Sequence, residues 1–121
     1  MPDWLQTALD IVHPARSRTQ LVRSTEGQRA AAQAAGHLVL YHFASCPFCV
    51  RVRRTIHWLD LPIAMRDIRA DDSARQILIE GGGRPTVPCL HIHDEPQPTW
   101  LYESDDIIAY LNRRFGPDAG P

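Results

Sequence analysis

Cys46-Pro47-Phe48-Cys49 constrains this chain more than any other stretch. It stands between an apolar run, Leu38-Val39-Leu40-Tyr41-His42-Phe43, and a helical pattern from Val50 to Leu59. A strand that ends in Cys-x-x-Cys and turns into a helix is the arrangement that thiol–disulfide exchange needs. Cys46 falls at the helix N-terminus, where unpaired backbone N–H groups and the macrodipole favour negative charge. Only the thiolate is a competent nucleophile. Cys49, one turn further on, is placed to attack a mixed disulfide formed at Cys46. Pro47 takes the first helical position, where its missing N–H costs nothing and its φ already fits.

The 121 residues with 44% apolar content predict one compact domain. A net charge of −1 gives no push toward nucleic acid. All thirteen basic residues are Arg. Residues 1–59 hold seven of them against Asp3, Asp10 and Glu26, and beyond that point acids outnumber Arg by eleven to six. A positive first half around a thiol site suits anionic thiol substrates, although Arg51, Arg53 and Arg54 also read as a solvated helix face. The chain begins with neither a basic leader nor a long apolar run, and no stretch approaches the ~18 apolar residues of a spanning helix. Three Cys in such a chain predict a reducing, cytoplasmic setting and not a disulfide framework.

From Leu38 onward the periodicities read β-α-β-α-β-β-α. The strand Leu38–Phe43 leads to a helix with Val52, Ile56 and Leu59 on one face, stopped by Leu61-Pro62. Ile63–Ile68 alternates as a second strand. Asp72 or Ser73 caps the next helix, which Gly81-Gly82-Gly83 ends. Val87–His93 alternates again and turns through Asp94–Pro98 into a short strand, Trp100-Leu101-Tyr102. Ser104 caps a last helix carrying Ile107, Ile108 and Leu111, terminated at Gly116-Pro117. This order predicts an α/β domain over residues 37–121 with a four-stranded mixed sheet, βαβαββα, and helices on both faces.

Residues 1–36 form a helical N-terminal extension in this reading. Trp4, Leu5, Ala8, Leu9 and Val12 give a short amphipathic helix that stops at His13-Pro14. Thr25 and Gln28 have capping-box spacing ahead of an alanine-rich helix that ends at Gly36. Two helices packed on their own domain is one reading. A partner- or membrane-docking arm using Trp4 is the other, and Asp3 and Asp10 with no Arg on the first helix count against lipid.

Cys-x-x-Cys could also be half of a zinc site. The candidates for the other half, Cys89, His91 and His93, alternate on one face of a strand with the wrong spacing, so no metal is expected. Thr86-Val87-Pro88 is the second strong feature. Pro is penalised inside a strand but tolerated at its first residue, especially with a cis bond. After a triple-Gly loop it implies a turn exposing the Val87 backbone to an extended peptide. Cys89 itself reads as a small buried hydrophobe.

Together, Cys46-Pro47-Phe48-Cys49, Thr86-Val87-Pro88 and Glu103-Ser104-Asp105 resemble the glutaredoxins, glutathione-dependent members of the thioredoxin fold. The resemblance covers about Leu38–Phe115. Pro-Phe between the cysteines is close to the Pro-Tyr of glutaredoxins and unlike the Gly-Pro of thioredoxins. Glu103-Ser104 followed by Ile107 and Tyr110-Leu111 is also similar to the N-terminal domain of glutathione transferases. Many glutaredoxins carry a Lys shortly before the first Cys, where this chain offers Tyr41, His42 and Phe43.

The resemblance implies that Cys46 and Cys49 are catalytic and that glutathione is the co-substrate. It implies that Pro88 is cis and that Val87 pairs its backbone with the cysteinyl part of glutathione. Ser104, Asp105 and Glu103 would hold the γ-glutamyl group, and Arg75, with Arg84 as the alternative, the glycyl carboxylate. The helix N-terminus at Ser104 supports this independently, because its N–H groups suit a carboxylate. The function so implied is reduction of protein–glutathione mixed disulfides and protein disulfides. Two rivals remain: a non-catalytic, glutathione-transferase-like binding module, and an iron–sulfur carrier in which Cys46 from two subunits and two glutathiones hold a cluster. The stiff Pro47 loop argues against the carrier.

Overall fold

The computed structural model describes residues 20–117, and the helix expected around Trp4–Val12 lies outside them. Helix α1 (Thr25–Ala35) starts where the Ser24 hydroxyl accepts from the Gly27 N–H at 3.0 Å. The cap is therefore Ser24 and not the expected Thr25. Gln28 is drawn away from capping, since its side-chain amide donates to the Asp60 carbonyl. Gly36 ends the helix as expected.

Strand β1 (Leu38–His42) leads into helix α2 (Pro47–Trp58), then β2 (Ala64–Asp67) and helix α3 (Asp72–Gly82). Strands β3 (Cys89–Ile92) and β4 (Thr99–Tyr102) follow, and helix α4 (Ser104–Phe115) closes the order. The sheet runs β2-β1-β3-β4, with β1 and β2 parallel and the other pairs antiparallel. This is the mixed βαβαββα sheet the periodicities predict, preceded by α1.

Alternation along the strands decides what each face buries. Leu38, Leu40, Leu90 and Ile92 meet Val52, Ile56 and Leu59 of α2, Ile107, Leu111 and Phe115 of α4, and Ala31 and Ala35 of α1. Each large aliphatic side chain buried there contributes roughly 1.5–3 kcal/mol. The opposite face carries Tyr41 and Cys89, with Trp100 and Tyr102 against them, under Ala74 and Leu78 of α3. The C-terminus of α3 approaches β4 so closely that a Cβ at Gly81 would overlap the Trp100 ring, and one at Gly82 the Tyr102 hydroxyl. Gly83 then leaves the helix with φ 98°, a conformation that favours glycine.

Two more helix starts differ from expectation. Asp71, not Asp72 or Ser73, caps α3, accepting from the Ala74 N–H at 3.2 Å. It also pairs with Arg66 of β2 at 2.9 Å, which fixes the crossover between strand and helix. Ser104 does not cap α4. The cap position is Glu103, at φ 72°, without a side-chain cap bond, and Ser104 is the first helical residue. At α2 the expected start holds: Cys46 is the cap and Pro47 the first helical residue.

Helices α2 and α4 run side by side in the same direction. Near their starts Arg51 reaches Ser104. At their ends the Arg23 guanidinium donates to the carbonyls of Leu59 (2.6 Å) and Phe115 (2.8 Å), and to the Gln28 side chain. One half-buried cation thus satisfies orphan carbonyls of two helices and opposes both negative dipole ends.

Candidate functional site: a thiol pair where three loops meet

Tyr41 of β1 faces Cys89 of β3, and Cys89 faces Tyr102 of β4. The chain leaves β1 just past that row and reaches Cys46. It enters β3 from Pro88 and leaves β4 into Glu103 and Ser104. The register alone therefore gathers Cys46, Val87-Pro88 and the start of α4 at one end of the sheet. The Val87–Pro88 bond is cis, as the resemblance implies. Pro88 lies just outside β3, which begins at Cys89 and not at Val87.

Cys46 and Cys49 are unbridged thiols, 5% and 0% exposed. Cys46 Sγ accepts from the Cys49 N–H at 3.4 Å, so the sulfur itself is the N-cap of α2. A sulfur there is held against a free backbone donor and the positive end of the helix. Cys49 is different. Burial, then its hydrogen bond to Cys46, pushes its thiol up to about 12. The pair is therefore asymmetric: one sulfur caps the helix, the other is a buried thiol kept protonated behind it.

The loop that presents Cys46 is tied down by Arg53. Its guanidinium donates to the carbonyls of Phe43 (3.4 Å) and Ala44 (3.0 Å) and lies 3.0 Å from His42 Nδ1. Burial, then Arg53, lowers the His42 pKa, so the imidazole is neutral and accepts from the guanidinium. The positive charge before the motif, which His42 could have supplied, comes from Arg53. Arg51 is engaged too, with Nη1 3.3 Å from Ser104 Oγ and Nη2 2.8 Å from Asp105 Oδ1. Arg53 thus departs from the solvated-face reading, while Arg51 lies on a solvent-exposed face where it pairs with Asp105. Charge complementarity carried the missing signal: an Arg-rich α2 packs beside an α4 that opens on Asp105-Asp106.

Of the other site candidates, Val87 is half-buried and Ser104 is buried, while Glu103, Asp105 and Arg75 are exposed. Arg75 is the fourth residue of α3. Arg84 stands over the Tyr102 ring at 4.2 Å, and its carbonyl accepts from the Tyr102 hydroxyl at 2.9 Å, which keeps it beside the three loops. Cys89 is fully buried, as expected for a small apolar side chain, and burial raises its thiol to about 12. Among the described residues, no group of three or more His, Cys, Asp or Glu side chains is placed to hold a metal ion. Among the same residues, no helix is long and apolar enough to cross a membrane.

The sequence pattern of one family, glutathione S-transferase N-terminal domain, matches residues 40–119. The chain belongs to that family. The match begins within β1 and takes in the thiol pair, the cis-proline loop and α4. A probable glutaredoxin from Synechocystis is 33% identical over 57 residues, which are 46% of this chain and 52% of that protein. The chain thus spans about half the length of this curated relative. Among solved structures, a glutathione transferase homolog from Drosophila mojavensis, with bound glutathione, aligns with a TM-score of 0.54 at 25% identity. That alignment covers 67% of this chain and 36% of the homolog. Wheat glutaredoxin aligns with a TM-score of 0.50 at 24% identity over 76% of this chain and 87% of its own, a likeness of fold. The family's N-terminal domain and the glutaredoxins share the thioredoxin-like arrangement found here.

Proposed function

We propose that this member of the glutathione S-transferase N-terminal domain family is a glutathione-dependent thiol–disulfide oxidoreductase. The asymmetric thiol pair carries this reading: Cys46 capping α2 through its sulfur, and Cys49 behind it as a buried thiol. In the proposed cycle the Cys46 thiolate attacks the glutathione sulfur of a protein–glutathione mixed disulfide. A new S–S bond forms to Cys46, the old one breaks, and the protein thiol leaves reduced. A second glutathione thiolate then attacks the Cys46–glutathione bond, releasing oxidised glutathione and regenerating Cys46. For a protein disulfide, Cys46 attacks one sulfur and forms a mixed disulfide as the other protein thiol leaves; Cys49 gives up its proton, attacks Cys46 and releases the second protein thiol, and two glutathiones in turn reduce the resulting Cys46–Cys49 disulfide. The two electrons come from glutathione in either case.

Val87 presents its backbone to the cysteinyl segment in this reading, beside Pro88. Glu103, Ser104 and Asp105 hold the γ-glutamyl end where the α4 N-terminus favours a carboxylate. Arg75 or Arg84 takes the glycyl carboxylate, and the position of Arg84 against Tyr102 favours Arg84. Two neighbours with bound glutathione lend support, the Drosophila mojavensis homolog and a Pseudomonas fluorescens glutathione transferase family member.

Reduction of a glutathionylated peptide by glutathione, followed with unaltered and Cys46→Ser protein, tests the reading. Turnover that disappears in Cys46→Ser is expected. Full activity in that variant overturns the mechanism, and glutathione binding without turnover in the unaltered protein favours the binding-module reading.

A further inference from the structure

Helix α1, the end of α4 and the residues that lead into α1 enclose an open groove of about 530 Å³. Its apolar lining is Leu21, Val22, Ala30, Ala31, Ala34 and Phe115. The floor belongs to the core, since Ala31 and Phe115 are buried and Leu21 and Ala34 pack against the main cluster. The mouth does not: Val22, at its lip, is 79% exposed. Ala30, Ala31 and Ala34 are small and share one face of α1, so a helix laid there comes close to its backbone. The two charged residues lining the groove are both Arg, Arg23 and Arg114. Asp94 answers Arg114, whereas the Arg23 guanidinium bonds to carbonyl oxygens and the Gln28 side chain. The groove therefore keeps a positive balance.

We infer that this groove is the seat of the chain's own segment Trp4–Val12, laid along α1 as an amphipathic helix. Trp4, Leu5, Ala8, Leu9 and Val12 put an apolar stripe on one side of such a helix. Its nine residues rise about 13.5 Å and α1 from Gly27 to Ala34 rises about 10.5 Å, so the two lengths match. The path between them is short. Leu21 lines the groove and is also where the chain is fastened, its N–H donating to the Trp58 carbonyl at 2.6 Å. The Gln20 side chain donates to the His57 carbonyl beside it, at 3.1 Å. Residues 13–20 reach at most about 28 Å, and His13-Pro14 breaks the helix where the chain must turn back. A helix of nine residues is marginal alone in water and needs an apolar surface to form. Asp3 and Asp10, with no Arg before Arg16, bring negative charge to a groove whose charged lining is Arg. An anionic lipid surface asks for the opposite sign. A second copy of the chain competes with a tethered segment whose effective concentration is on the order of millimolar. The groove closes the end of α4, a rise of about 18 Å from the end that borders the thiol pair, so this docking stands apart from the thiol chemistry.

Hydrogen–deuterium exchange on the full chain tests this with unaltered, L9D and A30E protein. L9D spoils the apolar stripe of the segment. A30E puts a carboxylate in the groove at an exposed position, where Glu keeps a helix propensity near that of Ala. Amides of residues 5–12 are expected to exchange at least about tenfold more slowly in the unaltered protein than in either variant, equally at low and high protein concentration. Amides of β1 and β3 are expected to exchange alike in all three, which shows that each variant is folded; if one variant fails this control, the other decides. Residues 5–12 exchanging at the unprotected rate in the unaltered protein overturns the docking. So does protection that A30E leaves in place. Protection that grows with protein concentration gives the groove to a second copy, and protection that needs phosphatidylglycerol vesicles gives the segment to a lipid surface; either result overturns the inference. The readout is exchange and not turnover, so the docking can fail while the oxidoreductase stands.

Discussion

The backbone N–H of Cys49 points at the sulfur of Cys46 from 3.4 Å. One turn of helix thereby separates the roles of two chemically identical groups. Cys46 sits in the cap, and Cys49 is raised to about 12 by burial and by its bond to Cys46. A thiol that reluctant to ionise does not compete as the attacking group at neutral pH. It acts only when a disulfide at Cys46 lies within its reach. Cys49→Ser protein is expected to keep reduction of glutathionylated peptides and to lose most reduction of a protein disulfide. Parallel steady-state assays on the two substrates check this, and equal loss on both would contradict the assigned roles.

Alkaline stability follows from the same burial. Cys49 and Cys89 both rise from 9.0 to about 12, and Tyr41 and Tyr102 are raised as well, burial being the largest cause for each. A thiol whose folded pKa exceeds its unfolded value stabilises fully below the unfolded value. That contribution is lost as pH climbs toward the folded one. Stability is therefore expected to fall between about pH 9 and pH 12. Each buried thiol adds a slope of about 1.4 kcal/mol per pH unit. Urea unfolding of Cys89→Ala against pH checks the assignment: the variant starts lower because of its cavity, and its alkaline slope is shallower by one such increment.

Arg23 binds together the ends of two helices that the sequence separates by more than fifty residues. Its bonds to the carbonyls of Leu59 and Phe115 are charge-assisted and partly buried. Arg23→Met keeps most of the apolar stem and removes the donors. The expected loss is about 2–3 kcal/mol, because the orphaned carbonyls lose a charged partner. Denaturant midpoints measure it. A loss within experimental error would show that water replaces the guanidinium without penalty.

Periodicity made the sheet and its helices legible. The alternation through Leu38–Tyr41 and Cys89–Ile92 and the Val52-Ile56-Leu59 stripe are consequences of which face each element buries. The thiol pair was equally legible, since Pro47 and the change of period at Val50 place Cys46 at a helix start. Local chemistry misled at the caps. Ser104 looks like a cap because hydroxyls usually are, yet the backbone turns at Glu103 with φ 72° and Ser104 enters the helix, its hydroxyl serving Arg51. Arg53 looks like part of a solvated face, and the partner of Arg51 on that face stays hidden, because helical spacing alone cannot reveal what the fold brings alongside. Their partners, Asp105 and the Phe43–Ala44 carbonyls, become neighbours only once α2 is docked.

His91 is the one described side chain whose buried polar atom, Nδ1, lacks a hydrogen-bond partner. Its ring stacks on Trp100 at 3.6 Å between centroids, and the His93 ring lies 3.7 Å away. Burial, then the neighbouring His93, lowers its pKa from 6.5 to about 4. An imidazole depressed in this way stabilises the fold above its unfolded pKa. That contribution is lost as pH falls from about 6.5 to about 4, where protonation would place a charge in a buried site beside His93. The full shift corresponds to something on the order of 3 kcal/mol. His91→Phe keeps a flat ring over Trp100 and satisfies the apolar site without the unpaired nitrogen. The variant is expected to match the unaltered protein at pH 7 to within about 1 kcal/mol and to resist acid better between pH 6 and pH 4. Thermal unfolding across that range decides it, and an unchanged acid slope would locate the sensitivity elsewhere, for example in Asp71 and Asp94, whose carboxyls are held low by Arg66 and Arg114.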